Sequence, residues 1–167
     1  MSPESLELAK VWLAKAHSDL ATARLLIKGS ERYLDTGSYH CQQAAEKAIK
    51  AWLTAVEVVF VKTHSLEILV NLCLPSAPGF QQFLPHAVEL TPFATEFRYP
   101  GDLFEPTTDE ALNALTRAEE LTSWIADNIC KLPLPIPPRD SLLLPSRFSA
   151  LPLTTGDCPL TSLRVDT

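Results

Sequence analysis

Leu6, Ala9, Leu13, Ala16, Leu20, Ala23 and Ile27 recur at spacings of three and four. That period places all seven on one face of an α-helix, whereas a strand would scatter them over both faces. Such a stripe has to be buried against another element, so the first thirty residues commit the chain to helix packing. The same signature returns in Ala111, Leu115, Ala118, Thr122, Ile125 and Ile129. No segment shows sustained two-residue alternation between hairpin turns, and no sheet is expected. The expected architecture is all-α: an up-and-down bundle of four to five helices, whose short connections make neighbours mostly antiparallel.

The boundaries follow from caps and prolines. Pro3 suits a first helical position after Ser2, with Glu4 and Glu7 in the first turn and Gly29 at the end. A second helix is expected from Thr36 or Ser38 to about Val61. A short third one follows Thr63 as its cap and carries Leu66, Leu69, Val70 and Cys73. Phe80 to Phe97 is helical in pattern, but Pro85 and Pro92 should kink or restart it, with Thr91 capping the restart. Thr107 and Glu110 are spaced as a capping box for the last helix. The helical zone covers residues 1–131. Residues 132–167 hold seven of the fourteen prolines and are expected to be an extended or disordered Pro/Leu-rich tail.

At 167 residues the chain suits one domain with a core. Its net charge of −6 gives no general attraction to nucleic acid or anionic lipid, so an RNA contact needs a local basic patch. The four cysteines form no C-x-x-C pair and none lies at metal-ligand spacing from a histidine. A disulfide framework and a metal site are therefore not expected. No glycine-rich phosphate loop or nucleophile elbow is present. No secretory signal pattern or membrane-length apolar run occurs, and a cytoplasmic location without membrane partners is expected.

The stretch YHCQQAAEKAIKAW, Tyr39 to Trp52, sets many polar groups in an alanine-rich helix. On a wheel of ~100° per residue, Tyr39, His40, Gln43, Glu46, Lys47, Lys50 and Thr54 share one arc. Cys41, Ala45, Ala48, Trp52 and Ala55 fill the opposite side. Glu46 and Lys50 are spaced for a helix ion pair worth about 0.2–0.5 kcal/mol. Periodicity alone makes this arc a solvated face. Gln42 is the exception, since it falls on the apolar arc and needs partners there. A second feature is FRYPGD, Phe97 to Asp102, where Arg98 is expected at a helix C-terminus and Pro100-Gly101 in a turn. His17 and His86 have no neighbours that suggest chemistry.

Cys41-Gln-Gln-Ala-Ala-Glu-Lys-Ala-Ile-Lys50, Thr63-His-Ser-Leu66 and Arg98-Tyr-Pro100 together resemble the HEPN domain family, "higher eukaryotes and prokaryotes nucleotide-binding". The resemblance covers roughly residues 5–130. It implies a bundle of four or five helices that commonly forms homodimers. It also implies a partnership with a minimal nucleotidyltransferase, often as a toxin–antitoxin pair. The catalytic branch resembles a metal-independent ribonuclease with arginine and histidine in an R-x(4–6)-H motif. Here Arg32 and His40 have seven residues between them, so that motif is incomplete. The resemblance therefore implies a nucleotide-binding module with no required cofactor. Its ligand contacts would be Gln43, Glu46, Lys47, Lys50, His64, Arg98 and Tyr99. For the alternative, a ribonuclease acting on RNA, the candidates are His40, His64, Arg32 and Arg98. A further alternative is a non-catalytic structural or dimerisation bundle.

Overall fold

Ser2 does what its position promises: its hydroxyl accepts from the Ser5 backbone N–H, Ser5 reciprocates to the Ser2 N–H, and Pro3 enters the first turn. The result is α1, Pro3–Lys28, with Ala9, Leu13, Ala16, Leu20, Ala23 and Ile27 buried. The computed structural model describes residues 2–94 and 105–132. Its other helices are α2 (Leu34–Ala55), α3 (Leu66–Cys73), α4 (Leu84–Leu90) and α5 (Thr108–Ile129). Two 3₁₀ turns, Pro78–Phe83 and Thr91–Ala94, flank α4. Among the described residues there is no strand, so the fold is all-α as the periodicity requires. The Pro/Leu-rich tail beyond Leu132 lies outside the described residues.

The α2 helix is the hub, packed by α1, α3 and α5. Ala44, Ala45, Ala48, Ala51 and Ala55 are all fully buried on it, and such short side chains let neighbouring helices approach closely. From Gly37 to Val56 no residue is exposed. This corrects the wheel reading of a wet face, because a wheel cannot know that both flanks of the polar arc are covered. At the far end of the bundle Trp52, Phe80, Phe83 and Trp124 meet edge to face or tilted, with ring centroids 5.0–6.3 Å apart. The Trp52 indole donates to Ser76 Oγ at 2.9 Å.

The helix α2 stops at Ala55, six residues before Val61, where its apolar pattern ends. The stop is a left-handed residue, Glu57, at φ 58°. Around it Glu57 N–H donates to Thr54 O and Val58 N–H to Leu53 O, the two bonds of a Schellman cap. Glycine usually fills that position, and a glutamate there gives no sequence signal. Its carboxylate accepts from the Ser2 N–H at 2.6 Å.

The third helix begins two residues later than expected. Ser65, not Thr63, is its cap, and Thr63 Oγ1 accepts from the Ser65 N–H instead. Pro85 enters the first turn of α4, where its missing N–H is no loss. Pro92 sits in the second 3₁₀ turn rather than restarting an α-helix. Thr91 bridges two elements: it donates to Ala87 O at 2.7 Å and accepts from Leu66 N–H at 3.1 Å. The capping box of α5 forms as spaced, from Thr107 and Glu110. Cys41 and Cys73 are buried thiols. Cys130, only partly buried, follows α5 as its C-terminal cap residue.

Candidate functional site

The polar residues of α2 resolve into two clusters on one seam. In the first, Glu46 is the centre, only 4% exposed. Its Oε1 accepts from Lys50 Nζ at 2.6 Å. Its Oε2 accepts from Gln42 Nε2 at 3.0 Å and faces His64 Nδ1 at 3.0 Å. Gln42 Nε2 also donates to the His64 backbone carbonyl at 3.2 Å, and Gln42 Oε1 accepts from Gln43 Nε2 at 2.8 Å. The amide that did not fit the wheel is thus satisfied within its own chain, as the pin between α2 and the loop that carries His64. The chain is fixed again two residues later, where Leu66 N–H donates to Thr91. Lys50 lies over the Trp12 and Phe60 rings, 5.8 and 5.9 Å from their centroids, within cation–π range.

The second cluster is Asp19, His40 and Lys47. His40 Nδ1 faces Asp19 Oδ1 at 3.0 Å, and Lys47 Nζ donates to Asp19 Oδ2. The carboxylate comes from α1 and both partners from α2, so this cluster helps bind the two helices. The Tyr39 ring packs edge-on to His40 at 5.6 Å. His40 and Glu46 are six residues apart on α2, about 9 Å along its axis.

Burial alone would raise the Glu46 carboxyl. The hydrogen bonds from Lys50, Gln42 and His64, with the Lys50 charge, more than offset it and hold the group below the usual carboxylate range. Glu46 is therefore ionised, and an ionised carboxylate only accepts. His64 must present Nδ1–H to it, which leaves Nε2 pointing away from Glu46. The side chain of His64 is 66% exposed, the most open group of the set. Among the seven expected ligand contacts, Gln43, Glu46, Lys47, Lys50 and His64 come together along this seam, while Arg98 and Tyr99 lie outside the described residues. The structure spends Arg32 on Thr108, whose Oγ1 lies 3.4 Å from Nη1 at the start of α5. Two contributors were assigned no part in the site from the sequence: Asp19, which entered only as one of the α1 residues of the family resemblance, and Thr91, expected only as a cap.

A separate cleft of about 200 Å³ lies between α4, the turn after it and α5, lined by Glu89, Leu90, Phe93, Glu110, Asn113, Ala114 and Arg117. Arg117 is paired with Glu89 at 2.6 Å. With Glu110 added, the lining carries more negative than positive charge and suits an anion poorly. No group of three or more histidine, cysteine or acidic side chains among the described residues is arranged to hold a metal ion. No helix of the described residues is long and apolar enough to cross a membrane.

The site is thus a buried α2 with Gln-Gln and Glu-Lys pairs, pinned to a Thr-His loop. The family model for the HEPN domain matches residues 9–129, and the chain belongs to that family. The crystal structure of an archaeal HEPN homologue, ST0689, is similar to this chain at 27% identity and a TM-score of 0.58. The match covers 72% of this chain and 97% of the homologue. Among curated proteins there is no match.

Proposed function

We propose that the chain is a nucleotide-binding HEPN module whose ligand contacts the α2 seam. The observation that carries this reading is the Glu46–His64 pair. A nearly buried carboxylate, saturated by three donors, aims an open imidazole away from the core beside Gln43 and Lys50. Residues held by such a network are pre-organised, so little ordering is needed when a ligand arrives. The geometry refines the roles assigned from sequence. Glu46 has its oxygens engaged and acts as the positioning residue, leaving Gln43 and His64 as the direct contacts. Lys47 and Lys50 shape the field around them. Calorimetry with ATP, GTP and AMP tests the reading, and absence of heat at millimolar nucleotide rejects it.

The family resemblance extends the proposal to assembly. The module acts as a homodimer and pairs with a minimal nucleotidyltransferase in a toxin–antitoxin-like arrangement, within the cytoplasm. Sedimentation tests the first part, and a monomer at micromolar concentration refutes it. Co-purification with a neighbouring nucleotidyltransferase tests the second.

One observation favours a second reading, a metal-independent ribonuclease: both His40 and His64 are backed by carboxylates, the arrangement that orients an imidazole for general acid–base work. RNA cleavage lost in His40→Ala or His64→Ala supports it, and cleavage that survives both substitutions excludes these residues.

A further inference from the structure

Among the described residues, Lys47 and Lys50 are the cations that α2 fixes in the seam, and both are engaged by carboxylates of the same seam. Lys47 is bound to Asp19 and Lys50 to Glu46. Two lysines against two carboxylates leave no net charge while both imidazoles are neutral. Among the described residues that α1 and α2 bring to the seam, charge is therefore balanced in that state, and the protein as a whole is negative at −6. An anion brought to this stretch of α2 meets no uncompensated lysine of that helix.

Hydrogen-bond polarity sharpens the point. Because Glu46 only accepts, neutral His64 must carry its proton on Nδ1. Its Nε2 is then a lone pair, which repels a phosphate oxygen and can accept but never donate. Protonation reverses both properties at once, adding a positive charge and an outward N–H. Nδ1 faces the same Glu46 oxygen in either state, and Gln42 holds the loop so that the ring keeps its place. Among the described residues, the other charged groups near His64 are Lys50 on α2, reached through Glu46, and the exposed Lys62 and Glu67 on either side of it in sequence. The Thr91–Ala94 turn packed on Leu66 brings a hydroxyl and no charge. His40 repeats the pattern against Asp19, with Lys47 completing the same balance.

We propose that an anionic ligand binds this seam together with a proton, taken up at Nε2 of His64. The proposal rests on the nucleotide-binding reading and adds its regulation: binding is gated by acidity, and the lysines alone do not suffice. The ligand class is a phosphate ester, because three acceptor oxygens complement an imidazolium flanked by the Gln43 amide.

Calorimetry of the full chain with AMP, at pH 6 and pH 8 and in two buffers of different ionisation heat, counts the protons exchanged. Three proteins are compared: the unsubstituted chain, His64→Gln and His64→Lys. The side chain is largely exposed, so both variants keep the fold, which circular dichroism verifies. Titration of AMP itself is common to all three and cancels. From pH 8 to pH 6 the unsubstituted chain should gain more affinity than His64→Gln does, with net proton uptake that His64→Gln lacks. His64→Lys, permanently charged, should bind more tightly than the unsubstituted chain at pH 8, with no more proton uptake than His64→Gln shows. Equal proton counts and equal pH dependence in the unsubstituted chain and His64→Gln overturn the proposal while leaving nucleotide binding intact. No AMP binding at either pH refutes the nucleotide-binding reading itself.

Discussion

Replacing Glu46 by alanine removes the acceptor on which three donors converge, and the cost can be worked group by group. Lys50 loses its counter-charge with its side chain only 13% exposed. Breaking a buried ion pair from one side costs about 3–5 kcal/mol. Lys50 can still reach water and keeps the Trp12 and Phe60 rings, contacts worth about 0.5–1 kcal/mol each at such partly open sites. Gln42 keeps one acceptor, the His64 carbonyl, and His64 is open enough to turn to water. The net expectation for Glu46→Ala is about 2–4 kcal/mol, a fall in Tm on the order of 10 °C for a bundle of this size. Urea denaturation followed at 222 nm measures it. Lys50→Met and the double variant complete a cycle, whose coupling should be about 1–3 kcal/mol because the second loss is partly prepaid by the first. Acidity gives an internal check. The Glu46 carboxyl sits below its ordinary 4.5 in the folded chain, so its contribution is complete above that pH and is lost as pH falls through the folded value. The gap between parent and Glu46→Ala should narrow below about pH 4.5. A cost under about 1 kcal/mol with additive cycle energies, or a gap that stays flat into acid, refutes the view of Glu46 as the keystone of the seam.

Three other substitutions probe separate parts of the bundle. Gly37→Ala should destabilise by about 1–3 kcal/mol although alanine is the better helix former, since its Cβ would stand 2.5 Å from Ile27 Cγ1; a rise in Tm refutes that tight contact. His17 is held below its ordinary 6.5, first by burial and then by the Arg24 charge, so folding stability is complete above that pH and falls as acidity increases. Tm measured from pH 7 down to about 5 should fall less steeply in His17→Gln, and an unchanged slope counts against the burial argument. The Cys41 thiol is pushed up to about 12 by burial and the Glu119 charge, so iodoacetamide should label it only at the rate of unfolding; fast labelling of the native chain contradicts its place in the core.

Legibility in the sequence differed by element, for physical reasons. The first and last helices were readable because their caps are local: Ser2-Pro3 and Thr107 with Glu110 satisfy their own backbone groups. The end of α2 was not. Val56, Val58, Val59 and Val61 continue an apolar run, and the actual stop depends on Glu57 adopting a conformation that residue type rarely takes. The site residues on α2 were identifiable as a group, but their roles were not. Glu46 lies in the middle of the polar arc, and only the arrival of α1 and the His64 loop turns that arc into a buried seam. Gln42 carried the one correct warning, because a polar residue on the apolar side demanded partners. Asp19 gave no comparable warning, since one aspartate on a long helix is ordinary until a second helix brings His40 and Lys47 to it.

The bond from the Ser2 N–H to Glu57 joins two places that the chain separates by 55 residues. Ser2 caps α1, and Glu57 opens the loop that carries His64. The first turn of α1 and that loop therefore form one unit for local opening: when either frays, the other loses its anchor. The amides of Ser5 and Leu6, which bond to the Ser2 side chain and carbonyl, become remote reporters of the site. A ligand that steadies His64 should slow their hydrogen exchange without touching them, so that the opening residues of the chain register what happens at the seam.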